Sequence, residues 1–200
     1  MLVGYEANNA LRNSHEIGEF CRDLISRLAT GRVGTYRALL FSKRVKNAYK
    51  GYYSSFSNIS TYVPSGSSKM MPSLWMRYSL NPWLKAEKVK VFHGMNEELP
   101  YGIGRDIKTI ITCYGVNDHQ RTSMIDGFLW KRRMEYSFSA ADVIVAVSEK
   151  VKESLVERGV NGEKIVVIGA PSGNPFELTD KMVEQYFQLY RRLAGEEENS

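Results

Sequence analysis

Polar side chains stand directly after two apolar, β-branched runs of the sequence. His93 and Gly94 follow "VKVF", and Tyr114 and Gly115 follow "KTIITC". A histidine in a polar loop can exchange a proton near neutral pH, and a tyrosine can stack on a sugar ring or donate a hydrogen bond. Each side chain could instead belong to the core. His93 and Tyr114 are therefore candidate catalytic residues with a structural alternative.

A second polar group lies between the first predicted strand and the first predicted helix. Ser14, His15, Glu16 and Gly18 occupy this loop, where free backbone N–H groups and the helix dipole favour an anionic group. Glu16 argues against phosphate itself. The alternative is that Ser14 caps the helix and Gly18 allows close packing. Both interpretations stay open at this point.

The other candidate substrate-binding residues follow the two runs that end at His93 and Tyr114. In an open α/β sheet, ligands bind outside the carboxyl ends of the strands, where such residues meet. The set comprises Gly94, Asn96, Glu98, Gly115, Asn117 and Asp118.

These residues must be positioned by alternating strands and helices. The runs at 89–92, 109–113 and 143–147 are apolar without polar alternation, which indicates strands covered on both faces. Further strands are predicted at 2–5, 35–41 and 165–168, with a weak candidate at 60–63. The pattern predicts an α/β fold with a doubly wound, Rossmann-like parallel sheet.

Two segments depart from this rhythm. Residues 70–84 carry bulky apolar side chains beside lysines, and Pro72 and Pro82 should confine any helix to the part between them. This segment could dip into a membrane surface, but packing on the sheet is favoured. Near the carboxyl terminus, Thr179 can cap a helix that ends near Gly195 and should dock back on the sheet.

Several classes of protein are disfavoured by what the sequence does not contain. It has no G-x-G-x-x-G after a strand, no Walker A lysine, no G-x-S-x-G elbow and no H-E-x-x-H helix. Neither cysteine has the spacing of a zinc or redox pair, so we expect no metal site and no cofactor. The cysteine usage also predicts a reduced, cytoplasmic compartment, with the inner face of the membrane as the alternative location. No secretory signal or membrane-spanning run is evident, so we do not expect an integral membrane protein. The net charge of +5 is compatible with a partner that carries phosphate, such as an anionic lipid or a nucleic acid, but it is a weak indication of one.

Four segments together resemble the amino-terminal half of bacterial family 4 glycosyltransferases with the GT-B fold. They are "GYEANNALRNSHEIGEFCRDLISRLA", "VFHGMNEELPYGI", "KTIITCYGVND" and the long stretch from "DGFLWKRRMEYSF" to "KIVVIG". The resemblance implies an acceptor domain over residues 1–169, which is one half of a GT-B fold. It further implies a linker at 170–176 as a junction in place of a donor domain, a returning helix at 177–195 and an acidic tail at 196–200.

The resemblance also implies an activity. Family members transfer a sugar from a nucleotide-sugar donor to a saccharide or lipid-linked acceptor, generally with retention of configuration and without a metal. Here the pathway would be surface polysaccharide biosynthesis, and the donor would bind only through a missing second domain. This chain alone would then be inactive. His93, Gly94 and Glu98 match the family pattern, whereas members often have histidine where Tyr114 stands.

Two other functions stay open. One is a non-catalytic Rossmann-like scaffold that docks on a membrane or on a partner protein, and the divergence at Tyr114 favours it. The other is nucleic-acid binding through "KRVKNAYKGYY", but basic and aromatic residues alternate only loosely there. We therefore expect a saccharide or lipid-linked acceptor as the partner, with possible peripheral membrane contact and no nucleic acid.

Overall fold

A computed structural model describes residues 1–115, 124–170, 172, 174 and 176–196, with the backbone alone for 124–128. In these residues, parallel strands form one sheet in the order β3-β2-β1-β4-β5-β6-β7. The strands are β1 (Leu2–Glu6), β2 (Arg37–Phe41), β3 (Ile59–Tyr62), β4 (Val91–Gly94), β5 (Lys108–Cys113), β6 (Val143–Ala146) and β7 (Ile165–Val167). The predicted doubly wound, Rossmann-like parallel sheet is confirmed, and the weak strand candidate is its edge strand β3.

Helices cover both faces of this sheet. They are α1 (Asn8–Arg12), α2 (Glu16–Thr30), α3 (Pro72–Tyr78), α4 (Leu80–Ala86), α5 (Met124–Ala140), α6 (Glu149–Glu157) and α7 (Asp180–Ala194). Alternate strand residues enter separate cores. In β2, for example, Leu40 packs with α2 and α7, whereas Leu39 and Phe41 pack with α3 and α4. This two-sided burial explains why the strands read as continuous apolar runs.

The segment at 70–84 differs from its prediction. Pro72 begins α3 as expected, but a second helix, α4, begins at Leu80 and continues through Pro82. The proline is tolerated because it lies in the first turn, where backbone N–H groups have no acceptor within the helix. The expectation that Pro82 ends the helical region was therefore wrong.

Helix α7 docks on the sheet as the sequence predicted. The Thr179 hydroxyl accepts a hydrogen bond from the backbone N–H of Met182 at 3.3 Å, and Gly195 ends the helix with φ of 72°. The Tyr186 and Tyr190 side chains are fully buried against the sheet. On the surface, Arg32 Nη2 forms a salt bridge with Glu184 Oε2 at 2.5 Å, which joins α7 to the end of α2.

A buried polar cluster joins α7 to the centre of the sheet. His93 Nδ1 lies 2.7 Å from Tyr190 Oη, and His93 Nε2 lies 2.8 Å from Thr112 Oγ1. Thr112 Oγ1 is also 3.3 Å from Tyr186 Oη. All four side chains are buried, so each hydrogen bond satisfies a group that has lost its water. The cluster therefore fixes the position of α7 on β4 and β5.

The Tyr190→Phe variant tests this docking. It removes the hydroxyl group that meets His93 Nδ1 and leaves a buried ring nitrogen without that partner. We expect the free energy of unfolding to fall by about 1–3 kcal/mol, measured by urea denaturation. Gln185→Ala changes an exposed residue of the same helix and should alter it by less than about 0.5 kcal/mol. Equal effects of the two variants would contradict the cluster's role.

Candidate functional site

A polar cleft of about 310 Å³ opens at the carboxyl edge of the sheet, beside the ends of β1, β2 and β4. Most of its lining side chains carry amide or other neutral polar groups. They are Asn8, Asn9, Arg12, Asn13, Ser14, His15, Lys43 and Asn96. The cleft thus brings together three of the predicted site residues, Ser14, His15 and Asn96.

Helix α1 forms one wall of the polar cleft and was not predicted. It begins two residues after β1 without a side-chain cap, so no capping signal marks it in the sequence. Buried Arg22 of α2 holds its end, since Arg22 Nη1 donates to the carbonyls of Ala10 at 3.0 Å and Asn13 at 2.7 Å. The α1–α2 turn is so tight that a Cβ on Gly18 would lie 2.1 Å from the Asn13 carbonyl oxygen. Close packing therefore explains Gly18.

Asn8 ties the ends of β1 and β2 together at the base of the polar cleft. Its Oδ1 accepts hydrogen bonds from Ser42 Oγ at 3.0 Å and from the Lys43 backbone N–H at 2.9 Å. On the other side, Asn9 Nδ2 donates to Asn96 Oδ1 at 3.2 Å, which links α1 to the loop after β4. Side-chain amides thus join the three strand ends in addition to the backbone pairing of the sheet.

The loop after β4 is shaped by two acidic residues. Glu97 has a positive φ of 59°, and its Oε1 accepts a hydrogen bond from the Tyr114 backbone N–H at 3.1 Å. Glu98 Oε1 lies 3.4 Å from Arg133 Nη1 of α5. A Cβ on Gly94 would lie 2.4 Å from the Glu98 carbonyl oxygen, so only glycine permits this turn. Gly94 and Glu98 therefore support the loop that carries Asn96.

Glu6 is a buried carboxylate at the end of β1 that the sequence analysis did not single out. Burial, followed by the charge of Glu98, raises the pKa of Glu6 to about 7. Asn8 donates to Oε1 through its side chain and its backbone N–H, whereas Oε2 has no hydrogen-bond partner among the described residues. Glu6 is thus a titratable group near neutral pH directly behind the polar cleft.

The two candidate catalytic residues do not line the polar cleft. His93 is 0% exposed, and burial lowers its pKa to about 3, so it stays neutral in the core. Tyr114 Oη lies 3.4 Å from Cys21 Sγ, and its ring packs edge-on against Phe20 and stacks on Phe176. A catalytic role for either side chain stays a prediction, and this geometry favours the structural alternative.

The remaining predicted residues are distributed around the same edge. Glu16 begins α2 and is exposed, and Gly115 follows Tyr114 with φ of 133°. Asn117 and Asp118 lie outside the described residues. Within the described part of the chain, no cluster of histidine, cysteine or carboxylate side chains is arranged to hold a metal ion. Nor is any helix there both long and apolar enough to span a bilayer.

The family model of Glycosyltransferase Family 4 matches residues 23–170. The chain belongs to this family. The match runs from α2 to the end of β7 and so includes the strands that carry Lys43 and Asn96 to the polar cleft. No curated protein gives a significant match to this sequence.

Solved structures share the fold at low sequence identity. Anabaena Alr3699/HepE in complex with UDP and glucose aligns at 10% identity and a TM-score of 0.52, over 86% of this chain and 47% of that one. The apo lipopolysaccharide outer core galactosyltransferase WaaB aligns at 13% identity and 0.51, over 86% and 46%. MnaA of S. aureus with UDP aligns at 14% and 0.51, over 90% and 47%. The chain thus spans about half the length of these proteins.

Glu6→Gln tests the burial of this carboxylate. Because the folded pKa is raised from 4.5 to about 7, the unfolded chain loses this proton first as the pH rises. Glu6 should therefore lower the free energy of unfolding progressively between about pH 4.5 and 7. Relative to wild type, Glu6→Gln should gain stability over this range, by roughly 3 kcal/mol at most.

Chemical denaturation across the pH range measures this difference directly. Glu157→Gln changes an exposed carboxylate at the end of α6 and serves as the control. A Glu6→Gln stability profile parallel to that of wild type would show that the Glu6 carboxylate ionises as it does in the unfolded chain.

Proposed function

We propose that this chain is the acceptor-binding part of a glycosyltransferase and that the acceptor's sugar occupies the polar cleft. The observation that carries the proposal is the concentration of asparagine side chains at the carboxyl edge of the sheet in a family 4 chain. Each amide offers both donors and an acceptor, which matches the mixed character of sugar hydroxyl groups. Ser14, His15 and Asn96 are the predicted residues that would contact this sugar.

The donor half of the reaction is assigned to a second domain outside residues 1–200. Support comes from the lengths of the matched structures, since this chain aligns with less than half of the proteins solved with UDP. The nucleotide sugar would bind to that second domain and face the polar cleft. In this proposal residues 1–169 form the acceptor domain, 170–176 a linker, 177–195 the returning helix and 196–200 an acidic tail.

The finer chemistry rests on the family resemblance. Transfer would retain the configuration of the anomeric carbon, and the chain alone would be inactive because the groups that stabilise the leaving phosphate would lie in the donor domain. The acceptor would belong to surface polysaccharide biosynthesis. The fold shared with a lipopolysaccharide galactosyltransferase agrees with this assignment.

A stripe of exposed apolar side chains supports peripheral membrane contact. This methionine stripe comprises Met70, Met71, Leu74 and Tyr78, and Met70 is 85% exposed. Leu74 and Tyr78 lie four residues apart on one side of α3, and Met70 and Met71 immediately precede that helix. Trp75 packs in the core instead, and Trp83 is about half exposed. We assign the methionine stripe to the cytoplasmic face of a membrane.

Saccharide binding to the polar cleft is tested by NMR titration of ¹⁵N-labelled protein with methyl glucoside, methyl galactoside and N-acetylglucosamine. At least one should shift the side-chain amide signals of Asn9 and Asn96, with weak affinity because the cleft is open. Asn96→Ala should weaken that binding by roughly fivefold or more, the cost of about one hydrogen bond. Asn47→Ala, an exposed amide outside the cleft, should not.

Calorimetry with UDP-glucose is the matching test of the donor assignment. Residues 1–200 should give no measurable heat because the donor site lies elsewhere. Tight binding of UDP-glucose, or sugar transfer by this chain alone, would contradict the division into two halves. Failure of all three saccharides to shift the cleft amides would contradict the acceptor role.

Membrane contact is tested by cosedimentation with vesicles of about 30 mol% phosphatidylglycerol, which supply an anionic surface. Met70→Ser combined with Met71→Ser should reduce the bound fraction at least about fivefold, since two exposed apolar side chains are lost. The matched control combines Val33→Ser and Val156→Ser, which are also exposed. Equal losses in both double variants, or no binding by wild type, would refute the assignment.

A further inference from the structure

A larger depression of about 760 Å³ lies beside the polar cleft, next to β3 and the segment after β2. We call it the basic groove. Four cationic side chains line it: Lys43, Arg44, Lys50 and Lys69. The rest of its wall is mainly apolar and includes Leu11, Val45, Ile59 and Val63. The basic groove therefore combines an aliphatic surface with concentrated positive charge.

The cations of the basic groove have no acidic partner within the groove. No acidic side chain is among its lining residues, and none of the four cations forms a salt bridge within the described part of the chain. Glu6, behind the neighbouring cleft, does act electrostatically on Lys43. Four clustered positive charges repel one another and favour an anionic ligand between them.

Tyr53 gives an independent indication of a ligand. It lines the basic groove and is 6% exposed, and its hydroxyl group has no hydrogen-bond partner among the described residues. A buried hydroxyl group without a partner is costly, and native structures rarely leave one. In the proposal below, this hydroxyl group donates its hydrogen bond to an anionic oxygen bound in the groove.

The aromatic residues of this segment are poorly placed to bind bases. The Tyr49 ring is covered by the Arg22 guanidinium, whose central carbon lies 4.1 Å from the ring centroid. Tyr53 packs edge-on against Tyr52, with centroids 4.9 Å apart. Single-stranded nucleic acid needs open ring faces on which bases can stack. The basic groove thus fits an aliphatic chain better than a nucleobase.

The position of the basic groove connects two features already described. Lys43 lines both the groove and the polar cleft. At the other side, Lys69 lines the groove and immediately precedes the methionine stripe. The three features therefore follow one another, from an exposed apolar surface through a basic, aliphatic groove to an amide-lined cleft.

We propose that the basic groove binds the phosphate and adjoining aliphatic segment of a lipid-linked acceptor whose sugar occupies the polar cleft. The proposal rests on the acceptor role and narrows it from saccharides in general to lipid phosphates. Lys43 would lie near the phosphate that joins sugar and lipid. The apolar wall would hold the first carbons of the chain as they leave the membrane.

The test is a calorimetric titration with alkyl phosphates below their micellar concentration. Decyl phosphate should bind at one site, and octyl and hexyl phosphate progressively more weakly, by up to roughly 15-fold for every two methylenes. Inorganic phosphate and decanol should each bind far more weakly than decyl phosphate. Equal binding by inorganic phosphate or by decanol would overturn the proposal, because either the chain or the charge would then be irrelevant.

Two variants localise the binding. Lys50→Glu should weaken decyl phosphate at least about tenfold at low salt, whereas Lys90→Glu, a matched charge reversal at the opposite edge of the sheet, should leave it within about twofold. Tyr53→Phe keeps the ring and removes the unpaired hydroxyl group, so it should weaken decyl phosphate about three- to tenfold without lowering stability. Equal weakening by Lys50→Glu and Lys90→Glu would overturn the site.

Further ligands distinguish a lipid-phosphate site from a general anionic-lipid surface and from a nucleic-acid groove. Equally tight binding of soluble dihexanoylphosphatidylglycerol at the same site would mean a general anionic-lipid surface, and tighter binding of an oligothymidylate would mean a nucleic-acid groove. Either result would overturn the proposal. Saccharide shifts in the polar cleft without decyl phosphate binding would refute this inference alone. Decyl phosphate binding without any saccharide shift would refute the acceptor role and this extension of it, and would leave only a lipid-phosphate site.

Discussion

The parallel sheet must be covered on both faces, and the rest of the structure depends on that constraint. Its strands carry apolar side chains in both directions, so an uncovered face would leave a large apolar surface in water. Helix α7 comes from the far end of the chain and covers the face that α2 leaves partly open. His93 binds Tyr190 of this helix, so the central strand β4 is anchored by a residue 97 positions away.

Because all the strands run in one direction, the loops after them meet at one edge. With β1 between β2 and β4, the loops after these three strands become neighbours although they are far apart in sequence. Asn8 bonds to Ser42 and Asn9 bonds to Asn96, so the loops are fixed by side chains that also line the polar cleft. The groups that would bind a ligand thus also hold the site together, which limits how freely they can be substituted.

The sequence predicts the elements better than it predicts the roles of individual side chains. Continuous apolar runs identified the buried strands, and Thr179 and Gly195 marked the ends of α7 correctly. The five-residue α1 has no side-chain cap and too few turns for a periodic signal. The partners of His93 and the burial of Glu6 depend on contacts between distant segments, which strand position alone does not reveal. The sequence therefore predicted His93 in a loop, although it lies in β4, and it did not predict Glu6 as a site residue.

The chemistry of the two depressions suggests how an acceptor would be bound firmly by an open surface. Amides in a solvated cleft discriminate between hydroxyl patterns but add little net free energy, because water competes for every hydrogen bond. Aliphatic burial and clustered charge provide affinity with little regard to sugar identity. If the lipid phosphate anchors the acceptor in the basic groove, the polar cleft has only to orient the attacking hydroxyl group. An aqueous saccharide without a lipid would lack that anchor, so the cleft alone would bind it weakly.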